Sequence, residues 1–223
     1  MLAATLINPM IPTLKPTDSV GKALEWIDEF GIKQMIVVDS ATYLGIISED
    51  ILLSFSDDNM PLSDVILQYP NIHATANQHI FEILNIVSQN HLQIIAVLDA
   101  QGDFEGSISL PDLAEHFIKN FGAAEKGAII VLKISERDYS LAEISRLIES
   151  NGTKILSSYY ASGNYPESLY TSRLTLKLNR TDITPIIATL ERFGYDIEEA
   201  HANDPVQSID QQRLDLLLRY LAT

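Results

Sequence analysis

Ser109 and Asp112 stand three residues apart in the segment GSISLPD, residues 106–112. A hydroxyl and a carboxylate at that spacing can be presented together at the entry to a helix. The carboxylate accepts through both oxygens, which suits the two hydroxyls of a vicinal diol. The same pair is also an ordinary helix-capping arrangement, because Ser-x-x-Asp ahead of an apolar run satisfies free backbone N–H groups. The two uses are compatible.

Other chemistry finds little support. The chain has no cysteine, which excludes disulfides, thiolate metal sites and cysteine nucleophiles. His73, His79, His91, His116 and His201 are scattered, with no pair at metal-ligand helical spacing. No glycine-rich phosphate loop and no Ser/His/Asp arrangement occurs, so no catalytic residue and no metal site are expected. The 30 acidic residues outnumber the 15 basic ones, for a formal net charge of −15. Such a charge repels phosphate backbones and anionic lipids, so neither nucleic acid nor membrane is an expected partner. Apolar runs such as residues 128–132 fall far short of the roughly 20 residues that span a bilayer. The start, MLAATLINPM, lacks the basic flank and long apolar core of a signal peptide, and a cytoplasmic protein is the expectation.

The elements that must position Ser109 and Asp112 form a repeat. Residues 92–112 read as strand, tight turn, strand and helix start, and residues 32–50 echo them: Asp39 matches Asp99, Gly45 matches Gly106, Ser48 matches Ser109. In the first copy, prolines keep residues 8–17 extended. Asp18 or Ser19 then caps a helix striped by Val20, Ala23, Leu24 and Ile27, with Gly31 ending it. Strands follow at 35–38 and 43–48, then a short helix with Ile51, Leu52 and Phe55. The second copy repeats this order with an extended lead at 72–76 and a helical stripe of Ile80, Ile83, Leu84 and Val87. Strands at 94–98 and 104–109 flank the Gln101-Gly102 turn, and a helix is expected over 112–121. The first copy is one residue short, so Ser48 and Asp50 stand two apart, which swings one side chain off the shared face. A degenerate or weaker site is expected there.

With MIPTL at 10–14, MIVVD at 35–39, IAVLD at 95–99 and GSISLPD at 106–112, the chain resembles a tandem pair of cystathionine-β-synthase (CBS) domains over about residues 6–121. The two repeats would cover about 6–56 and 62–121, within a module of residues 1–121. The resemblance implies that Ser109 and Asp112 face a cleft between the paired repeats, the carboxylate on ribose hydroxyls and the hydroxyl near ribose or phosphate. It also implies an adenine-side wall from Ile95 and Ala96, where the family often has proline beside the base, and from the lead residues His73 to Thr75. Residue by residue these read as ordinary core and loop. The implied ligand is an adenine nucleotide (AMP, ADP or ATP), with no cofactor required.

After a small linker at 120–126 the pattern changes. Strands are expected over 128–134, 155–161, 169–178 and 195–200, with turn chemistry at 162–167. A capping box, Ser140-x-x-Glu143, precedes a helix carrying Leu141, Ile144, Leu147 and Ile148. Asp182 starts another with Ile183, Ile186, Ile187 and Leu190. The order βαββαβ over 127–202 is a ferredoxin-like unit, and its segment ERDYSLAEISRLIESNGTKI resembles the first helix of ACT domains. Where that family usually has Pro-Gly, this chain has Asp138-Tyr139, which weakens an amino-acid site at the loop. RNA-recognition domains share the topology, but residues 128–134 carry no aromatic and the charge is wrong. In the tail, residues 203–223, Ser208-x-x-Gln211 caps a stripe of Leu214, Leu217, Leu218 and Leu221. A lone helix that short needs a surface to pack on, in its own domain or in a partner subunit.

The expected fold is therefore α+β: two CBS repeats forming one module, a βαββαβ ACT-like domain and a C-terminal helix. The expected function is non-enzymatic: a regulatory protein that senses an adenine nucleotide at the second-repeat cleft. The alternatives are a degenerate scaffold for homodimerisation and a protein partner, or an amino-acid sensor acting through the ACT-like domain. Both resemblances imply a homodimer, and the regulated target is not legible.

Overall fold

Helix α1 (Val20–Phe30) begins where the Ser19 side chain accepts from the Lys22 N–H, and Gly31 closes it in the left-handed conformation at φ 62°. It leads into the antiparallel pair β1 (Gln34–Asp39) and β2 (Thr42–Ser48), followed by the short helix α2 (Glu49–Leu52). Sixty residues on, the order recurs as α3 (Ile80–Gln89), β4 (Ile94–Leu98), β5 (Phe104–Ser109) and α4 (Leu110–Asn120), preceded by β3 (Ala74–Thr75). The computed structural model describes residues 1–135, 138–162 and 171–202. The chain divides into two units, Met1–Phe117 and Ile118–Thr223.

The correspondence between copies extends to backbone detail. Leu14 bridges Val37 in parallel, and Ala74 pairs with Val97 in parallel. Both strand pairs carry a bulge at the same place, between Val37 and Val38 and between Val97 and Leu98. Consecutive residues of β1 point to opposite faces. Met35 and Val37 pack with Val20, Ala23 and Ile27 of α1, whereas Ile36 and Val38 pack with second-repeat residues such as Ile94 and Ala96. Apolar demand on both faces explains the unbroken run MIVV, since a strand covered on each side has no solvent face to carry polar residues. Each fully buried Ile or Val contributes about 1.5–3 kcal/mol of transfer free energy. Two amides clasp the copies together: the Gln34 side chain accepts from the Gln93 N–H at 2.7 Å, and the Gln93 side chain accepts from the Lys33 N–H at 3.0 Å.

The helix expected to begin at residue 112 begins two residues earlier, at Leu110. Ser109 is the capping residue, its hydroxyl accepting from the Asp112 N–H at 3.2 Å. Pro111 therefore falls in the first turn, where no N–H is needed.

In the second unit, β6 (Ile129–Ser135), α5 (Leu141–Glu149), β7 (Ile155–Ala161), β8 (Thr171–Leu178), α6 (Thr184–Arg192) and β9 (Asp196–His201) form an antiparallel sheet in the order β7-β8-β6-β9. That is the split βαβ arrangement, with α5 and α6 packing Ile144, Leu147, Ile187 and Leu190 against Ile130, Leu132, Leu174 and Leu176. Only half of the expected capping box forms: Ser140 Oγ accepts from the Glu143 N–H at 3.3 Å, but the Glu143 carboxylate accepts from the Tyr195 hydroxyl at 3.3 Å instead. The start of the strand expected at 169, residues 163–167 of the expected turn and the tail helix of 203–223 lie outside the described residues. Among the described residues, no helix is long and apolar enough to cross a membrane.

Candidate ligand cleft of the second repeat

β5 delivers Ser109, 4% exposed, to the mouth of α4, and the first turn of α4 returns the Asp112 carboxylate to it. The Ser109 hydroxyl donates to Asp112 Oδ2 while accepting from the Asp112 N–H, so the capping arrangement is realised in full. A third residue completes the group. Asn8 Nδ2 donates to both carboxylate oxygens, at 3.2 Å to Oδ1 and 3.1 Å to Oδ2. The Asn8 side-chain oxygen, Oδ1, accepts from the Met10 N–H at 3.0 Å, which fixes the orientation of the amide toward Asp112. Both carboxylate oxygens are thus engaged by the Asn8 amide, and Oδ2 by the Ser109 hydroxyl as well.

Asn8 arrives by a crossing of the two leads. Upstream of its parallel bridge, each lead runs along the outer strand of the other repeat. Gln68 exchanges two backbone hydrogen bonds with Ile46 of β2, each 2.8 Å, and the Asn8 N–H donates to the Ser107 carbonyl of β5 at 2.9 Å. Each crossing passes over a glycine. A Cβ on Gly45 would lie 2.7 Å from the Gln68 carbonyl oxygen, and one on Gly106 would lie 2.4 Å from Ile7 Cγ2. Asn8 and Gln68 are sixty residues apart and occupy matching places.

Of the six residues expected to line the cleft, the structure brings together Ser109 and Asp112. Ile95 and Ala96 have no exposed surface and belong to the core. Thr75 pairs with Leu98, whereas Ser109 pairs with Ile94 at the other end of β4, about 13 Å away at the rise of an extended strand. Thr75 Oγ1 instead donates to Asn77 at 2.9 Å. His73 packs edge-on to Tyr43 of the first repeat, ring centroids 6.4 Å apart. Of the expected adenine-side residues, the lead residues His73 and Thr75 thus stand away from Asp112, and the lead that reaches Asp112 is that of the other repeat, through Asn8. The sixty-residue repeat marks Asn8 as a counterpart of Gln68, but no local pattern marks either as a crossing residue.

The first-repeat counterpart differs. Ser48 caps α2 by position but makes no side-chain capping bond, and Asp50 is exposed. The Tyr43 hydroxyl donates to the Tyr69 carbonyl at 2.9 Å, and burial pushes the phenol well above its ordinary pKa. In the second unit, a cleft of about 540 Å³ lies beside the β6–α5 connection, lined in part by Lys133, Asp138, Glu143, Tyr195 and Asp196. Burial and the neighbouring Glu143 carboxylate raise the Tyr195 phenol. Tyr139 stacks edge-on to Tyr160 with centroids 4.9 Å apart. Among the described residues no group of three His, Asp or Glu side chains is placed to hold a metal ion.

No family model matches the chain. It is 26% identical over 109 residues to an inosine-5'-monophosphate dehydrogenase from Rhodopirellula baltica, which covers 48% of this chain and only 20% of that enzyme. Among solved structures it is similar to a CBS domain pair/ACT domain protein from Thermotoga maritima, at 20% identity and a TM-score of 0.48 over 53% of this chain and 98% of that one. It is also similar to CBSX2, solved in complex with AMP, at 17% identity and a TM-score of 0.46 over 53% of this chain and 96% of that one.

Proposed function

We propose that Met1–Phe117 is a CBS-type pair acting as a non-enzymatic, ligand-sensing regulatory module in a cytoplasmic homodimer. Its second-repeat cleft takes an adenine nucleotide (AMP, ADP or ATP) by the ribose. The observation that carries this reading is the Ser109–Asp112 pair, a half-buried carboxylate whose two oxygens face one donor and whose position is braced by a capping hydroxyl. Ribose 2′ and 3′ hydroxyls would each donate to one oxygen. Ser107, two residues before Ser109 on the same face of β5, is 1% exposed and its hydroxyl has no partner, which leaves a buried polar group close to the pair. Binding regulates by differential affinity for two arrangements of the protein. Calorimetric titration with AMP and ATP tests the reading: wild-type protein is expected to bind and Asp112→Ala to lose the heat. Heats unaltered in Asp112→Ala would remove the assignment.

A second reading, an interaction scaffold without a small ligand, is favoured by one observation: Asp112 is already satisfied by Asn8 and Ser109. A thermal-shift screen separates the two, since a ligand that binds the folded state raises its melting temperature. No shift with any nucleotide supports the scaffold.

A further inference from the structure

The segment that satisfies Asp112 is held unevenly. Residues upstream of Asn8 are anchored in the second repeat: Ala3 N–H donates to the Gln78 carbonyl at 2.9 Å, Ala4 N–H to Ala76 at 3.0 Å, and the Met1 carbonyl accepts from the Ile80 N–H at 3.0 Å. Ala3 and Leu6 are buried in the core. The next two residues have fewer backbone bonds to the second repeat, although Ile7 packs against the core. Ile7 rests a methyl on Gly106, and Asn8 makes a single backbone bond to Ser107, where its counterpart Gln68 makes two to Ile46. What the crossing lacks in backbone bonds it makes up with the Asn8 side chain on the Asp112 carboxylate.

We propose that Ile7-Asn8 is a latch: an internal competitor for the Asp112 carboxylate that closes the second cleft and must lift before a diol-bearing ligand can bind. This rests on the reading of Asp112 as the ribose acceptor. The Asn8 amide and a ribose diol need the same two oxygen atoms, so they exclude each other. Closing the latch lowers apparent affinity by the fraction of molecules that are open. Opening it releases the chain at Ile7, so occupancy of the cleft is read out as release of the first-repeat lead, a physical link from ligand to conformation.

The test is calorimetric titration of the full chain with AMP and ATP, comparing wild type, Asn8→Ala, Asn8→Leu (close in volume, no donor) and Asp112→Ala. Thermal melting confirms that each variant is folded. Both Asn8 variants are expected to bind about ten-fold more tightly than wild type, the equivalent of one net charge-assisted hydrogen bond, and Asp112→Ala not at all. In wild type, AMP is also expected to speed amide hydrogen exchange at Ile7 and Asn8. Binding in wild type that the Asn8 variants leave equal or weaker overturns the latch alone. No binding in wild type or in either Asn8 variant overturns the nucleotide reading and the latch with it. Binding seen only in the Asn8 variants supports both.

Discussion

Gly45 and Gly106 hold equivalent places under the two crossing leads, yet alanine should cost very different amounts at each. At Gly45 the backbone has φ +147°, a conformation side chains disfavour, and the new Cβ would lie 2.7 Å from the Gln68 carbonyl oxygen and 3.0 Å from Leu67 Cβ. That carbonyl cannot retreat without breaking its 2.8 Å bond from the Ile46 N–H. Backbone strain and overpacking of 1–3 kcal/mol each give a loss of about 3 kcal/mol. In a unit of this size that corresponds to about 10 °C in Tm. At Gly106 the obstacle is Ile7 Cγ2, a side-chain methyl and not a backbone carbonyl, and φ is not positive. A loss of about 1 kcal/mol is expected there, because the segment can shift. Urea unfolding followed by circular dichroism measures both. Ile7→Ala should recover most of the stability lost in Gly106→Ala, while Leu67→Ala should recover little of that lost in Gly45→Ala, since the Gln68 carbonyl remains. Equal losses at the two glycines, or full rescue of Gly45→Ala by Leu67→Ala, would refute the reasoning.

Two pH effects follow from buried polar groups. Burial raises the Asp18 carboxyl, but the bond from the Lys22 ammonium at 2.7 Å and the Lys15 N–H outweigh it and hold the group below its ordinary value. A depressed folded-state pKa stabilises the protein above the ordinary carboxylate range and is lost as pH falls through the folded value. Asp18→Asn should therefore flatten the acid limb of the stability profile, and an unchanged limb would count against the pairing. Tyr43 shows the opposite sign. Burial raises its phenol, so its contribution is complete below pH about 10 and fades as pH climbs beyond that. Tyr43→Phe should cost about 1 kcal/mol by leaving the Tyr69 carbonyl unmet. It should also remove one late-ionising phenol from an alkaline absorbance titration; persistence of that phase would assign it to another tyrosine.

Much of the fold was legible because its signals are local. The cap at Ser19, the stop at Gly31, the strand at MIVV and the βαββαβ order each follow from propensity and periodicity within a dozen residues. The hydroxyl–carboxylate pair was legible for the same reason, since Ser109 and Asp112 lie within one helical turn. Ile95 and Ala96 show where such reasoning ends. An apolar residue on a strand reads the same whether it lines a cleft or fills a core, and only the tertiary packing that closes one cluster around them, with Ile36, Ile46, Ile83 and Val87, makes them core.

By itself, the sequence determined that this protein is built from two copies of one unit followed by a ferredoxin-like domain, and that the second copy alone keeps Ser and Asp three apart. Tertiary structure decided what stands beside that pair. Repeat periodicity relates Asn8 to Gln68 but cannot say onto which copy either will fold. The leads exchange between copies, each meeting the other's outer strand through backbone hydrogen bonds over a glycine, and it is this exchange that carries Asn8, and not His73 or Thr75, to the Asp112 carboxylate.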